Sequence, residues 1–225
     1  PMPGSFGQFL IRTEDGGWNW ELFGPPDVST SGGGGVCVQY LSEEPGTIIA
    51  VKYKGDSIWR SRDDGETWDL ILQDVGAWST FCPIIPPDYS VSILESPWES
   101  GDLYLNVPFL IKSRDRGISW ESVIHYWNND GNINFIWAHP VRGGYLYMGL
   151  GGLSLMRSMD DGLTWESAVG GIPYWGNFGL WGCICADYHK PENMSILCQR
   201  TEYCTGGQVD TIFKSKAYGK NWTAT

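Results

Sequence analysis

Positive charge is scarce in this chain: 15 Lys and Arg stand against 26 Asp and Glu in 225 residues, a formal net charge of −11. A surface of that sign repels nucleic-acid phosphates and anionic headgroups, so no nucleic-acid partner is expected. No apolar run approaches the ~20 residues that span a bilayer, and no membrane insertion is expected. No signal peptide is visible, and the chain opens at Pro1 rather than at an initiator Met, which reads as a processed or partial chain. Histidine is also rare. His125, His139 and His189 fall at unrelated positions and suggest no shared metal site. The six cysteines contain no C-x-x-C pair, so no zinc site is implied. There is no Gly-x-Ser-x-Gly elbow, and the Gly32–Gly35 run precedes a strand rather than a phosphate-binding helix. No metal or cofactor is expected.

Turn formers and aromatics are abundant instead: 30 Gly, 13 Pro and 13 Trp. They belong to an internal repeat. Its frame is Ser or Thr, then Asp two residues on, Gly four on, a polar residue six on and Trp seven on. Thr13-Asp15-Gly17-Asn19-Trp20 fits, as do Ser61-Asp63-Gly65-Thr67-Trp68, Ser113-Asp115-Gly117-Ser119-Trp120 and Ser158-Asp160-Gly162-Thr164-Trp165. A fifth copy is degenerate: Ser215, Ala217, Gly219, Asn221 and Trp222, with Ala217 in place of the aspartate. The tryptophans are 48, 52, 45 and 57 residues apart. The chemistry is that of a hairpin turn. Asp accepts turn amides, Gly supplies a positive φ, the hydroxyl ties the ends, and Trp opens the next strand. Asp15, Asp63, Asp115 and Asp160 are therefore read as structural rather than as metal ligands or acid–base groups.

These residues resemble the Asp-box, or bacterial neuraminidase, repeat found in sialidases, xyloglucan-specific endoglucanases, sortilin-type receptors and a photosystem assembly factor. The resemblance implies an all-β fold: a β-propeller segment of four-stranded antiparallel blades, each with its box between the third and fourth strands. Apolar runs between boxes predict a half blade at 1–23 and blades at about 36–72, 91–124, 133–168 and 182–225. Such a set does not close a ring, so another chain or a missing segment is expected to complete the propeller. Arg12, Arg60 and Arg157 share one repeat position and do not converge as a sialidase arginine triad does. Ser31-Gly32-Gly33-Gly34-Gly35-Val36, Pro45-Gly46, Ile49-Ala50 and Trp59-Arg60-Ser61 resemble the first blade of the xyloglucanases. That family places a catalytic Asp three residues after the Ala, where this chain has Tyr53; Asp56 lies in another register.

Blade topology gathers the loops 24–35, 73–90, 125–132 and 169–181 on the face opposite the boxes. They carry Trp78, Tyr126, Trp127, Tyr174 and Trp175, with Asp74 and Asp130 beside them. This density reads either as channel and blade packing or as a stacking surface for a glycan or protein ligand. The expected function is an extracellular or surface recognition module. The alternatives are a glycoside hydrolase of xyloglucanase type and a structural propeller in a virion or cell-surface assembly. Cys198 and Cys204 bracket a short polar stretch and are expected to pair as a disulfide, the other reading being buried thiols. Asn193 and Asn221 head glycosylation sequons.

Overall fold

The computed structural model describes residues 10–26, 36–52, 57–73, 91–99, 101–107, 110–123, 133–150, 154–172, 178–179, 184–201 and 208–225. All regular structure among them is antiparallel strand. Strands β1 (Leu10–Arg12) and β2 (Glu21–Phe23) form a two-stranded sheet. The second sheet runs β3 (Val36–Tyr40), β4 (Ile48–Lys52), β5 (Ser57–Ser61), β6 (Asp69–Gln73). The third runs β7 (Ser92–Glu95), β8 (Leu103–Asn106), β9 (Leu110–Ser113), β10 (Glu121–Ser122). The fourth runs β11 (Ile133–Ala138), β12 (Leu146–Leu150), β13 (Ser154–Ser158), β14 (Glu166–Ser167). In each, strands follow one another in chain order. The first strand of one sheet lies against the first strand of the next, β3 on β7 and β7 on β11. First strands that gather while outer strands diverge make a propeller arc.

The last blade departs from the sequence reading. Its inner edge is made by two short pieces, β15 (Phe178–Gly179) and β16 (Ile184–Ala186), both paired to the long β17 (Met194–Thr201). The pattern predicted β16 and a continuous loop through 169–181; β15 breaks that loop. Strands β18 (Gln208–Ser215) and β19 (Thr223–Ala224) complete the blade. Outer strands β10, β14 and β19 are two residues long, shorter than the apolar runs suggest.

The repeated turn joins the third and fourth strands of every blade, and its chemistry is identical in four copies. The hydroxyls of Thr13, Ser61, Ser113 and Ser158 each donate to the aspartate two residues on at 2.8 Å. Each hydroxyl also accepts the glycine amide four residues on, again at 2.8 Å. The aspartate then takes the amide of the polar residue at 2.7–2.9 Å. Two successive positive φ angles close the turn, Arg116 at 61° and Gly117 at 81° in the third blade. Beside it lies the turn between first and second strands, whose carbonyl accepts an amide from the repeated turn: Gly46 from Asp64, Gly101 from Arg116, Gly144 from Asp161.

Blades adhere through apolar clusters, each shared by two neighbours. Ile49 and Ile58 of the second blade meet Leu103, Leu105 and Ile111 of the third. Tyr104 and Leu110 meet Leu146 and Met148; Tyr147 and Leu155 meet Ile196, Phe213 and Trp222. The turn glycine is pressed into the preceding blade at these seams. A Cβ on Gly117 would lie 2.7 Å from Ile49 Cδ1, and one on Gly65 would lie 2.0 Å from the Phe23 ring. Gly16, one position earlier in the first copy, has a φ of +74° and nothing within reach of a Cβ. Gly117→Ala therefore combines left-handed strain with a seam clash and is expected to cost about 2–4 kcal/mol. Gly16→Ala carries strain alone and should cost about 1 kcal/mol. Denaturant unfolding of the two variants checks this: equal losses would mean that the seam contact does not matter.

Candidate functional site

A functional site needs side chains that the fold leaves uncommitted. The four turn aspartates are committed. Hydrogen bonds from the Asn19 amide and side chain, with Thr13, hold the Asp15 carboxyl down at about 2. Thr67 and Ser61 lower Asp63 in the same way. Burial pushes Asp115 and Asp160 upward, yet the donors Ser119 and Thr164 outweigh it and leave both below the usual carboxylate range. Both oxygens of each carboxylate face donors of their own turn, so these aspartates are neither bases nor cation ligands. Among the described residues no group of three or more His, Cys, Asp or Glu could hold a metal.

The cations one residue before the turn hydroxyl are committed too. Arg12 donates to the Asp64 carbonyl at 2.7 Å and to Glu66 at 2.6 Å, both in the next blade. Arg157 reaches the Ala217 and Tyr218 carbonyls of the next blade at 3.2 and 2.8 Å. Lys112 is buried between Asp102, at 2.7 Å, and Asp161 of the fourth blade, to which Tyr104 also donates. Arg60 stays within its blade and pairs with Glu44 at 2.8 Å, but Glu44 also receives Arg116 of the third blade at 2.6 Å. These guanidinium and ammonium groups lash blade to blade. They do not converge, as the repeat position required.

His139 is a structural ligand of this kind. Its Nδ1 accepts the amides of Val141 and Arg142 at 3.2 and 3.0 Å. Its Nε2 lies 2.9 Å from the Pro191 carbonyl of the last blade, which fixes the proton on Nε2. Burial and nearby Arg142 lower its pKa against the opposing pull of Pro191.

The expected ligand residues Asp74, Trp78, Tyr126, Trp127, Asp130, Tyr174 and Trp175 lie outside the described residues, as do Tyr53 and Asp56. The Cys198–Cys204 pairing stays an expectation, because Cys204 lies outside the described residues. Cys198 carries a free thiol, buried in the seam of the last two blades and pushed up to about 11 by that burial. Its place on β17 puts it in the core cluster with Ile196 and Met194. Asn193 is half-buried at the turn before β17, and Asn221 is exposed at the start of the last outer strand.

Sequence reasoning missed one concavity. A cleft of about 430 Å³ opens between the second and third blades, lined by Gln39, Ser42, Glu43, Glu95, Ser96 and Trp98 among others. Glu95 spans it, accepting the Ser42 amide at 2.9 Å and the Ser42 hydroxyl at 3.1 Å. An indole beside amide, hydroxyl and carboxylate groups suits a polar, hydroxylated ligand. The signal was readable: Ser96 and Trp98 fall between first and second strands, on the turn face, where no ligand residue was sought.

No protein-family profile matches the chain, and no curated protein matches it by sequence. Solved structures do share its fold. An ancestral GH74 enzyme is 14% identical over 86% of this chain with a TM-score of 0.59. YCF48 bound to D1 peptide is 16% identical over 96% of this chain with a TM-score of 0.60. The chain is an all-β propeller segment. It spans 24% of the first structure's length and 60% of the second's.

Two outcomes are expected. Lys112→Met leaves Asp102 and Asp161 facing each other without their buried cation, with only the more distant Arg114 at 3.9 and 3.6 Å. The variant should lose about 3 kcal/mol in chemical denaturation, and adding Asp161→Asn should recover part of it. The depressed His139 pKa means that the unfolded chain takes up the proton more readily. Its contribution to stability is complete above the unfolded value of about 6.5 and is lost as pH falls toward the folded one. His139→Gln should flatten the pH dependence of the melting temperature below about pH 6.5; an unchanged slope would remove His139 as its source.

Proposed function

We propose that the chain is a recognition propeller of the Asp-box type, acting outside the cell or at a surface on a glycan or protein ligand. The observation that carries this reading is the commitment of the carboxylates at the turns and seams; in the cleft beside Trp98, where Glu43 and Glu95 both line the wall, Glu95 is held by Ser42. Asp15, Asp63, Asp115 and Asp160 serve their turns, Glu44, Asp102 and Asp161 serve cations, and Glu95 bridges to Ser42. Glycoside hydrolysis needs two carboxyl groups facing one open cleft, one free to give a proton and the other free to attack or activate water. Recognition needs only aromatic faces and polar donors on a rigid frame. The fold is compatible with both uses, since one neighbour is a GH74 enzyme and another holds a peptide.

The ligand surface is assigned to the cross-blade loops, centred on Trp78, Trp127 and Trp175 with Tyr126, Tyr174, Asp74 and Asp130. Stacking contributes about 0.5–1.5 kcal/mol per ring, so several rings must act together. Asp74 and Asp130 would orient hydroxyls or amides. The sequons at Asn193 and Asn221 fit an extracellular glycoprotein.

A glycan array followed by calorimetry on the bound class tests the assignment. Trp127→Ala and Trp175→Ala should each weaken binding about three- to tenfold with the melting temperature unchanged. Loss of binding in Trp98→Ala alone would move the site to the cleft on the turn face. Release of reducing sugar from xyloglucan by the purified chain would replace recognition with hydrolysis.

A further inference from the structure

In four copies of the repeated turn an aspartate carboxylate sits at the centre. It accepts the leading hydroxyl at 2.8 Å and, on the same oxygen, the amide six residues after that hydroxyl at 2.7–2.9 Å. The fifth copy keeps the backbone of the turn but has Ala217 in place of the aspartate. Tyr218 and Gly219 hold φ angles of 50° and 72°, the same left-handed pair as Arg116 and Gly117. Ser215 Oγ accepts the Gly219 amide at 3.0 Å. The Ala217 carbonyl accepts the Lys220 amide at 3.0 Å, as the Asp63 carbonyl accepts that of Glu66 at 3.2 Å.

Two donors that the carboxylate answers elsewhere are left over. Ser215 is 2% exposed, and among the described residues its hydroxyl proton meets no acceptor. The Asn221 amide meets none either, because the clasp from Gly170 takes the amide of Trp222, one residue further on. The Asn221 side chain lies against Gly170, its oxygen 2.6 Å from where a Cβ on that glycine would be. Glu192 reaches the turn through its backbone carbonyl, which accepts the Tyr218 amide at 3.1 Å. Lys216 and Lys220 flank Ala217, and all three are exposed.

That exposure does not depend on whether another blade follows. Met159 and Leu163 hold the places of Lys216 and Lys220 in the fourth blade, which has a neighbour on each side, and they are 48% and 77% exposed. Asp63, at the place of Ala217 in the second blade, is exposed as well.

We propose that the fifth turn is a binding site for an external carboxylate, which receives the hydrogen bonds that the aspartate side chain receives in the other four. One ligand oxygen accepts the Ser215 hydroxyl and the Asn221 amide. Lys216 and Lys220 supply the positive charge that favours an anion over water, in a chain of net charge −11. The group recognised is a carboxylate on a narrow carrier, the end of an acidic side chain or of an acidic sugar.

Formate and acetate are the probes, with chloride at equal ionic strength as the control. In nuclear magnetic resonance of the backbone amides, the Asn221 signal should shift and saturate with a Kd of about 1–100 mM. That range is open to a few charge-assisted hydrogen bonds without apolar burial. Ala217→Asp supplies the carboxylate from within, so it should raise the melting temperature and abolish the formate response. Lys216→Glu combined with Lys220→Glu should keep the melting temperature and weaken formate at least about threefold. N-acetylaspartate and glucuronate then distinguish the two carriers by which of them binds more tightly. A response that chloride reproduces, or that persists unchanged in Ala217→Asp, overturns the proposal. So does an Asn221 amide that no carboxylate moves.

Discussion

The structure depends on one contact made repeatedly: a left-handed glycine at the tip of a blade pressed against the flank of the blade before it. The turn has to be narrow enough to reach the seam, and its backbone has to stay hydrogen-bonded there. Glycine satisfies the first condition because it has no Cβ to meet Ile49 or Phe23. The Ser or Thr hydroxyl and the Asp carboxylate satisfy the second by answering amides that no strand partner can reach. The motif is therefore not a local ornament of the hairpin. It lets a flat four-stranded sheet meet its neighbour at close range near the rim, while first strands meet near the axis.

The fifth copy shows what happens when part of the motif is missing. Ala217 cannot accept the amides that aspartate takes elsewhere, although Ser215 still accepts the Ala217 and Gly219 amides at 3.2 and 3.0 Å. The blade compensates from outside. Gly170, just beyond the outer strand of the preceding blade, accepts the Trp222 amide at 2.7 Å, and Ala168 accepts the Trp222 indole at 2.8 Å. In the other copies the indole donates to the glycine of its own turn. Trp222 is accordingly drawn into the seam and almost wholly buried. A lost carboxylate inside a turn has been exchanged for a backbone clasp between blades.

How much of this was legible follows from the range of each interaction. The turn is local, eight residues long, and its residue types have few alternative uses, so spacing alone located every copy and the role of its aspartates, while its place between third and fourth strands came from the family resemblance. The shared position of Arg12, Arg60 and Arg157 likewise indicated cations that do not converge. Their acceptors could not be read, because a carbonyl such as that of Tyr218 leaves no mark in the sequence. The same limit hid the Trp222 clasp, which consists of backbone groups. Strand parity puts Cys198 on the same side as Ile196 and Met194, in the core cluster. The cleft at Trp98 was missed because ligand residues were sought on one face only.

Blade-to-blade lashing also bears on how such a chain can work. The seams combine apolar clusters with ionic links: Lys112 and Arg157 are buried and held by the next blade, whereas the second and third blades are joined through Glu44 and Arg116. An ionic link of this type adds little net stability over a hydrophobic replacement, but it punishes any sliding that separates the charges. Register between blades is therefore fixed more firmly than the stability of any one seam implies. A frame that resists sliding holds the strand ends of neighbouring blades in constant relation, which a surface built across several blades requires.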